Sequence, residues 1–270
     1  MLTLLLLTCG LILAQPPAAP APTSPAATPK ANSAIAPAPR TDEGWVKRND
    51  SFNARARQGA AKGDIGIVFL GDSITHGWEN HGREAWAAHY AGRGAVNFGI
   101  GGDRTQHVLW RVQNGNLAGL AKPAAGSAPK LVIVMIGTNN LASNSAAEIA
   151  EGIGAVVRAC REKLPGTPVL LLGVFPRGRE AGDPARAKIA EVNALASRHA
   201  DGEHVHMLDI GDRFLSADGS ISPEIMPDYL HLSRRGYEVW AGAMEPEVRR
   251  ILKEAPESSP GPGPISTPGK

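Results

Sequence analysis

Cysteine is scarce in this chain, with two residues, Cys9 and Cys160, in 270. A disulfide-stapled scaffold is excluded, so the fold must hold through its core. Aromatic residues make up only 5%. Charge of either sign is not concentrated: 28 Lys and Arg face 26 Asp and Glu, with no long run of one kind. A dedicated nucleic-acid surface needs clustered cations to displace counterions, so no nucleic-acid partner is expected. No apolar run reaches the roughly 20 residues of a membrane-spanning helix, so no membrane span is expected. The phosphate-cradling GxxxxGK[ST] pattern is missing. The run from Gly99 through Gly101 and Gly102 lacks the last glycine of a dinucleotide fingerprint. Around Ser73 the order Gly71-Asp-Ser-Ile-Thr75 does not meet the GxSxG elbow either.

What is present begins with two unusual ends. Residues 2–14, LTLLLLTCGLILA, form an apolar run of 13. That length suits the apolar part of a secretory signal peptide cleaved after Ala14, which makes the expected location secreted or periplasmic. Thr8 is a poor residue to precede a lipid-modified Cys9, which disfavours a lipoprotein signal. Residues 15–40 are rich in Pro and Ala. Proline removes amide donors and alanine adds little burial, so this stretch reads as a semi-extended linker. The tail at 255–270 has the same character. Between them residues 41–254, 214 in all, suffice for one domain with a sizeable core.

Within that domain, short apolar runs alternate with helical patterns. Strands are expected at 65–70, 95–98, 131–136, 169–172 and 204–208. Helices are expected at 105–114, 145–163, 184–199 and from 233 onward, with Pro246 bending the last. Asp103-Arg-Thr-Gln106 resembles a capping box for the first of these. The alternation implies an α/β fold: right-handed crossovers and a five-stranded, mostly parallel sheet covered on both faces. Sites in such sheets form at the carboxyl ends of the strands. Gly71-Asp-Ser73, Gly101-Gly102-Asp103 and Gly137-Thr-Asn-Asn140 all fall there.

Each candidate also has a plain structural explanation. Ser73 at a strand end can serve as a nucleophile or simply cap a helix. In Asp228-Tyr-Leu-His231 the spacing lets a carboxylate orient one imidazole nitrogen while the other faces a nucleophile. It equally describes two surface polar residues. Asn139 can donate to a developing oxyanion or satisfy its own turn. His204 and His206 could share a strand face as metal ligands, but no third ligand is apparent and no metal site is expected.

Taken together, Ser, Gly, Asn, then Asp and His near the end, the pattern resembles the SGNH (GDSL) hydrolase superfamily. Within it the chain is most similar to the catalytic α subunits of platelet-activating-factor acetylhydrolase and their bacterial relatives. Gly71-Asp-Ser-Ile74, Asn97-Phe-Gly-Ile-Gly-Gly-Asp103, His107-Val-Leu-Trp-Arg111, Pro176-Arg-Gly178 and Asp228-Tyr-Leu-His-Leu232 carry the likeness across 60–252. The resemblance implies a flavodoxin-like α/β/α sandwich and no metal or organic cofactor. It implies Ser73 as nucleophile, His231 as general base and Asp228 as the residue orienting it. The oxyanion hole would use the amides of Ser73 and Gly102 and the Asn139 side chain. Those subunits dimerise, so a homodimer is a further expectation.

The segment after the nucleophile, Thr75-His-Gly-Trp-Glu-Asn-His81, departs from those subunits. Ile74, Trp78 and Leu230 are candidates to line the substrate pocket, and Trp78, His81 and Trp86 to stack on sugars, with core packing as the alternative for Trp86. The leading expectation is an exported serine esterase acting on a small-molecule or polysaccharide ester. It would release short acyl groups, acetyl first, from carbohydrate. A phospholipid acetylhydrolase or lysophospholipase-like lipase is the second reading. A non-catalytic binding module on the same fold is the third.

Overall fold

The computed structural model describes residues 31–255. The expected signal peptide at 1–14, with most of the linker and tail, lies outside the described residues. Five parallel strands form one sheet in the order β2-β1-β3-β4-β5. They are β1 (Ile67–Gly71), β2 (Ala95–Gly99), β3 (Leu131–Met135), β4 (Val169–Leu172) and β5 (Val205–Leu208). This is the flavodoxin-like, doubly wound order, and the expected α/β fold is what the chain adopts.

Side chains alternate across the strands, so each strand feeds two cores. Val68, Leu70, Val132 and Val134 face one layer, which holds α1 (Glu43–Lys62), α4 (Thr105–Arg111), α5 (Ala146–Lys163) and α6 (Pro184–Ala196). Ile67, Phe69, Ile133 and Met135 face the other, built on α2 (Ser73–His76), α3 (Arg83–His89) and α7 (Arg234–Leu252). Burial on both faces explains why β1 and β3 read as unbroken apolar runs rather than alternating ones. α7 continues through Pro246. Among the described residues no helix is long and apolar enough to cross a membrane.

Residues 32–40, expected as linker, instead form a strap belonging to the domain. Asn32 donates to the Glu148 carbonyl and the Glu151 carboxylate of α5. Thr105 Oγ1 donates to the Ala34 carbonyl, and the Ala38 amide donates to the Gln106 carbonyl. The strap fits because Gly152 carries no side chain: a Cβ there would lie 2.8 Å from the Ala34 carbonyl oxygen. Proline content reports missing donors, whereas this strap is held by the Asn32 side chain and by backbone groups of Ala34 and Ala38.

Candidate active site

Ser73 opens α2 directly after β1, and the cap of that short helix comes from its neighbour. Asp72 Oδ1 accepts the Ile74 amide at 2.9 Å. The Ser73 hydroxyl is thereby left for another partner, and Oγ lies 2.9 Å from His231 Nε2. His231 Nδ1 lies 2.6 Å from Asp228 Oδ2. Asp228 Oδ1 accepts the amides of His231 at 2.7 Å and Leu230 at 3.1 Å. Desolvation pulls the Asp228 carboxyl upward, but these bonds from His231 and Leu230 outweigh it and hold the group below the usual Asp value. Between them Tyr229 takes a positive φ of 60°, rare for a side-chain-bearing residue, and its carbonyl accepts the Gly178 amide at 2.9 Å. The strain sits in the loop that aims the imidazole.

Gly102 follows β2 on an exposed turn with φ of +78°, a conformation that favours glycine. Asn139 follows β3, and its Nδ2 donates to the Asp103 carbonyl at 2.9 Å. An amide nitrogen carries two hydrogens, so one remains for a ligand. The sheet therefore brings Ser73, Gly102, Asn139, Asp228 and His231 to one rim. A hydroxyl hydrogen-bonded to an oriented imidazole is the arrangement of nucleophilic acyl transfer. Beside it opens a cleft of about 800 Å³ whose walls include Asn139, Leu141, Arg177, Lys188, Asp228 and Leu230.

Two of the expected pocket residues are elsewhere. Ile74 is 1% exposed and its side chain joins the core under the sheet. Trp78 is likewise 1% exposed, with its ring 4.7 Å from Tyr237, 4.8 Å from Trp240 and 5.5 Å from Tyr90. Neither surface is free to meet substrate. Trp86 packs on Phe69, Trp78 and Tyr90 as well, while His81 is exposed. Only Leu230 of the three pocket candidates lines the cleft. His204 and His206 border a different cavity, of about 860 Å³, at the amino ends of the strands. No group of three metal-ligating side chains occurs among the described residues.

Composition and spacing did not single out a buried polar hub behind the rim. Asp103, wholly buried, does not cap α4 as a capping box would have it. Its Oδ1 accepts Trp45 Nε1 at 2.8 Å and its Oδ2 accepts Arg111 Nε at 2.9 Å. The Arg104 amide at the start of α4 is taken by His107 Nδ1 instead, at 3.0 Å. Burial, aided by the charges of Arg40 and Arg104, lowers the His107 pKa to about 4, so the ring is neutral and able to accept. Asp72 is also wholly buried, and its Oδ2 accepts no hydrogen bond among the described residues. Burial pushes its carboxyl up to about 7, opposed by the Ile74 amide and helped by the nearby Asp103 charge.

The chain is similar to several known proteins. Residues 69–239 match the GDSL-like lipase/acylhydrolase family. The human platelet-activating factor acetylhydrolase IB subunit alpha1 is 37% identical over 214 residues, covering 79% of this chain and 86% of that protein. Two solved structures share the fold. A GDSL-like lipase from Bacteroides thetaiotaomicron has a TM-score of 0.59 at 21% identity, covering 76% of this chain and 98% of its own. A catalytic mutant of an acetylxylan esterase from Geobacillus stearothermophilus has a TM-score of 0.55 at 19% identity, covering 70% and 95%. The chain belongs to the GDSL-like lipase/acylhydrolase family and is a carboxylic ester hydrolase.

Proposed function

We propose that this enzyme is a serine esterase that removes acetyl groups from carbohydrate hydroxyls. The observation that carries the mechanism is the continuous line from Ser73 Oγ through His231 to Asp228. Ser73 Oγ attacks the ester carbonyl carbon while His231 Nε2 takes its proton. The carbonyl oxygen becomes an oxyanion facing the amides of Ser73 and Gly102 and the free Asn139 hydrogen. When the tetrahedral adduct collapses, the alcohol leaves with the proton from His231 and the acetyl stays on Ser73. Water then repeats the sequence: His231 takes its proton, acetate departs, and Ser73 regains its hydrogen. Asp228 stays ionised throughout and stabilises the imidazolium.

Acetyl is the acyl group that the names of two relatives share, one an acetylhydrolase and the other an acetylxylan esterase. A carbohydrate alcohol is favoured by the open site: the His231 and Asp228 side chains are 45% and 56% exposed, where a lipid tail would gain little burial. The apolar run at 2–14 and the Pro/Ala-rich stretch behind it support export, and with it a polymeric substrate outside the cytoplasm.

The test is a hydrolysis panel of 4-nitrophenyl acetate, acetylated xylan and a short-chain acetyl phospholipid. Acetate release from xylan at the highest kcat/KM is the expected result. Preference for the phospholipid would move the assignment to the lipase reading, and inertness toward all three would overturn the esterase itself. Export is checked by the amino terminus of the enzyme recovered outside the cytoplasm, expected at Gln15.

A further inference from the structure

Arg111 lies on α4, wholly buried. Its three nitrogens go to three places. Nε donates to Asp103 Oδ2 at 2.9 Å, Nη1 to Asn116 Oδ1 at 2.5 Å and Nη2 to the Gly71 carbonyl at 3.3 Å. Gly71 stands two residues before Ser73, and Asp103 stands next to Gly102. One planar guanidinium thus grips the backbone leading into one amide donor and the side chain following the other. The third donor hangs from the same hub, because Asn139 Nδ2 binds the Asp103 carbonyl. Trp45 of α1 fixes Asp103 from behind. On the solvent side, Arg40 of the strap donates to the Gly101 carbonyl at 2.7 Å and lies 3.6 Å from Asp103 Oδ1.

Burying an ion pair is a poor way to gain stability. Desolvation opposes both charges here, pushing Asp103 up and Arg111 down, and their attraction offsets only part of it. Apolar residues of similar volume commonly serve a core as well or better. What they cannot supply is a rigid fork that meets several acceptors at fixed angles. Placement of the donors is also where small errors are costly: each oxyanion donor is worth about 10²–10³ in rate, and a 1 Å misplacement can cost about 10².

We propose that the buried Arg111–Asp103 pair is the positioning element of the oxyanion site, holding the Ser73 and Gly102 amides and the Asn139 side chain in mutual register. Arg111 touches no reacting atom, and acts through Gly71 and Asp103. The inference rests on the esterase reading and adds a residue pair to it.

The experiment uses the full chain with Arg111→Lys and Arg40→Gln. kcat and KM are measured on 4-nitrophenyl acetate, alongside the inhibition constant of a trifluoromethyl ketone, whose Ser73 adduct carries an oxyanion in the same place. Lysine keeps the charge and loses the fork. Arg111→Lys is expected to lower kcat by about 10² and leave KM within about threefold. The inhibition constant should weaken by the same factor as kcat/KM, the mark of an interaction made with the oxyanion. Arg40→Gln, on the exposed side of the hub, should show the same pattern at about three- to tenfold, and decides the matter if Arg111→Lys fails to fold. A purely structural pair would lower the melting temperature and leave kcat, KM and inhibition of the folded enzyme at wild-type values. That result in Arg111→Lys, or in Arg40→Gln when the lysine variant cannot be made, overturns the proposal. A wild-type enzyme inert toward every ester overturns the esterase reading and takes the inference with it.

Discussion

His231 is joined to Asp228 twice, through its ring at 2.6 Å and through its own backbone amide at 2.7 Å. One carboxylate therefore sets both the direction of the imidazole and the conformation of the loop carrying it. These two bonds let a histidine whose side chain is 45% exposed hold a fixed line to Ser73.

Ser73→Ala is expected to remove ester hydrolysis by at least about 10³-fold while leaving the melting temperature nearly unchanged. The hydroxyl is only partly buried, and helix α2 is capped by Asp72 rather than by Ser73. Activity on 4-nitrophenyl acetate and a thermal melt check both halves. A variant retaining a tenth of wild-type activity would remove Ser73 from the nucleophile role.

Asp72→Asn should stabilise the enzyme at alkaline pH. Its carboxyl is raised from 3.8 to about 7 on folding, so between those values the native state holds a proton that the unfolded chain releases. Stability conferred by that group is complete below about pH 4 and is lost as pH rises through about 7. Asparagine keeps an oxygen for the Ile74 amide and carries no charge. The expected gain is about 2–4 kcal/mol at pH 8 and somewhat under half of that at pH 5. Melting temperatures of both proteins across pH 5–9 test it, and parallel curves would contradict it.

Trp78→Phe is expected to cost stability rather than substrate affinity. The indole is enclosed by Tyr90, Tyr237 and Trp240, so a smaller ring leaves a cavity worth about 1–3 kcal/mol. KM for acetylated xylooligosaccharides should stay within about twofold of wild type. A large KM increase with an unchanged melting temperature would return Trp78 to the substrate.

Acyl length is expected to be limited by Leu230, the apolar candidate that lines the cleft. Each added methylene would gain about 0.8 kcal/mol by burial in an open groove. Overpacking against a fixed side chain costs about 1–3 kcal/mol instead. kcat/KM should fall from acetyl to butyryl to octanoyl esters, and Leu230→Ala should recover about tenfold of the octanoyl rate relative to acetyl. Wild-type rates that climb with chain length would contradict this.

The sheet could be read in advance because β1 and β3 are covered on both faces and carry apolar residues at every position. Ser73, Asn139, Asp228 and His231 stand out as candidates because strand ends and short spacings are local features, while their roles come from the family resemblance. Trp78 was misread for the opposite reason: its partners Tyr237 and Trp240 lie far along the chain in α7, and nothing near Trp78 announces them. Arg111 and Asp103 were invisible as a pair because a loop-to-helix contact has no periodicity. Arg111 stands out in the sequence only inside a block that carries the family likeness, and Asp103 only as a strand-end residue and the start of a capping box. The strap at 32–40 was hidden by its own composition, since Asn32, Thr105 and Arg40 anchor it one contact at a time.

The strap and α1 lie outside the span that matches the family as a whole, although a single relative aligns over 214 residues. The matched span, 69–239, leaves out Arg40 and Trp45, two of the groups that meet Asp103, and the part of α7 bearing Trp240, Met244 and Val248. A fragment cut to that span would keep every residue of the proposed triad and oxyanion hole, yet it would lose α1 from one core and the second half of α7 from the other, and release the donor loop. What braces the rim from behind therefore lies partly outside the matched span, in the strap, in α1 and in the last turns of α7.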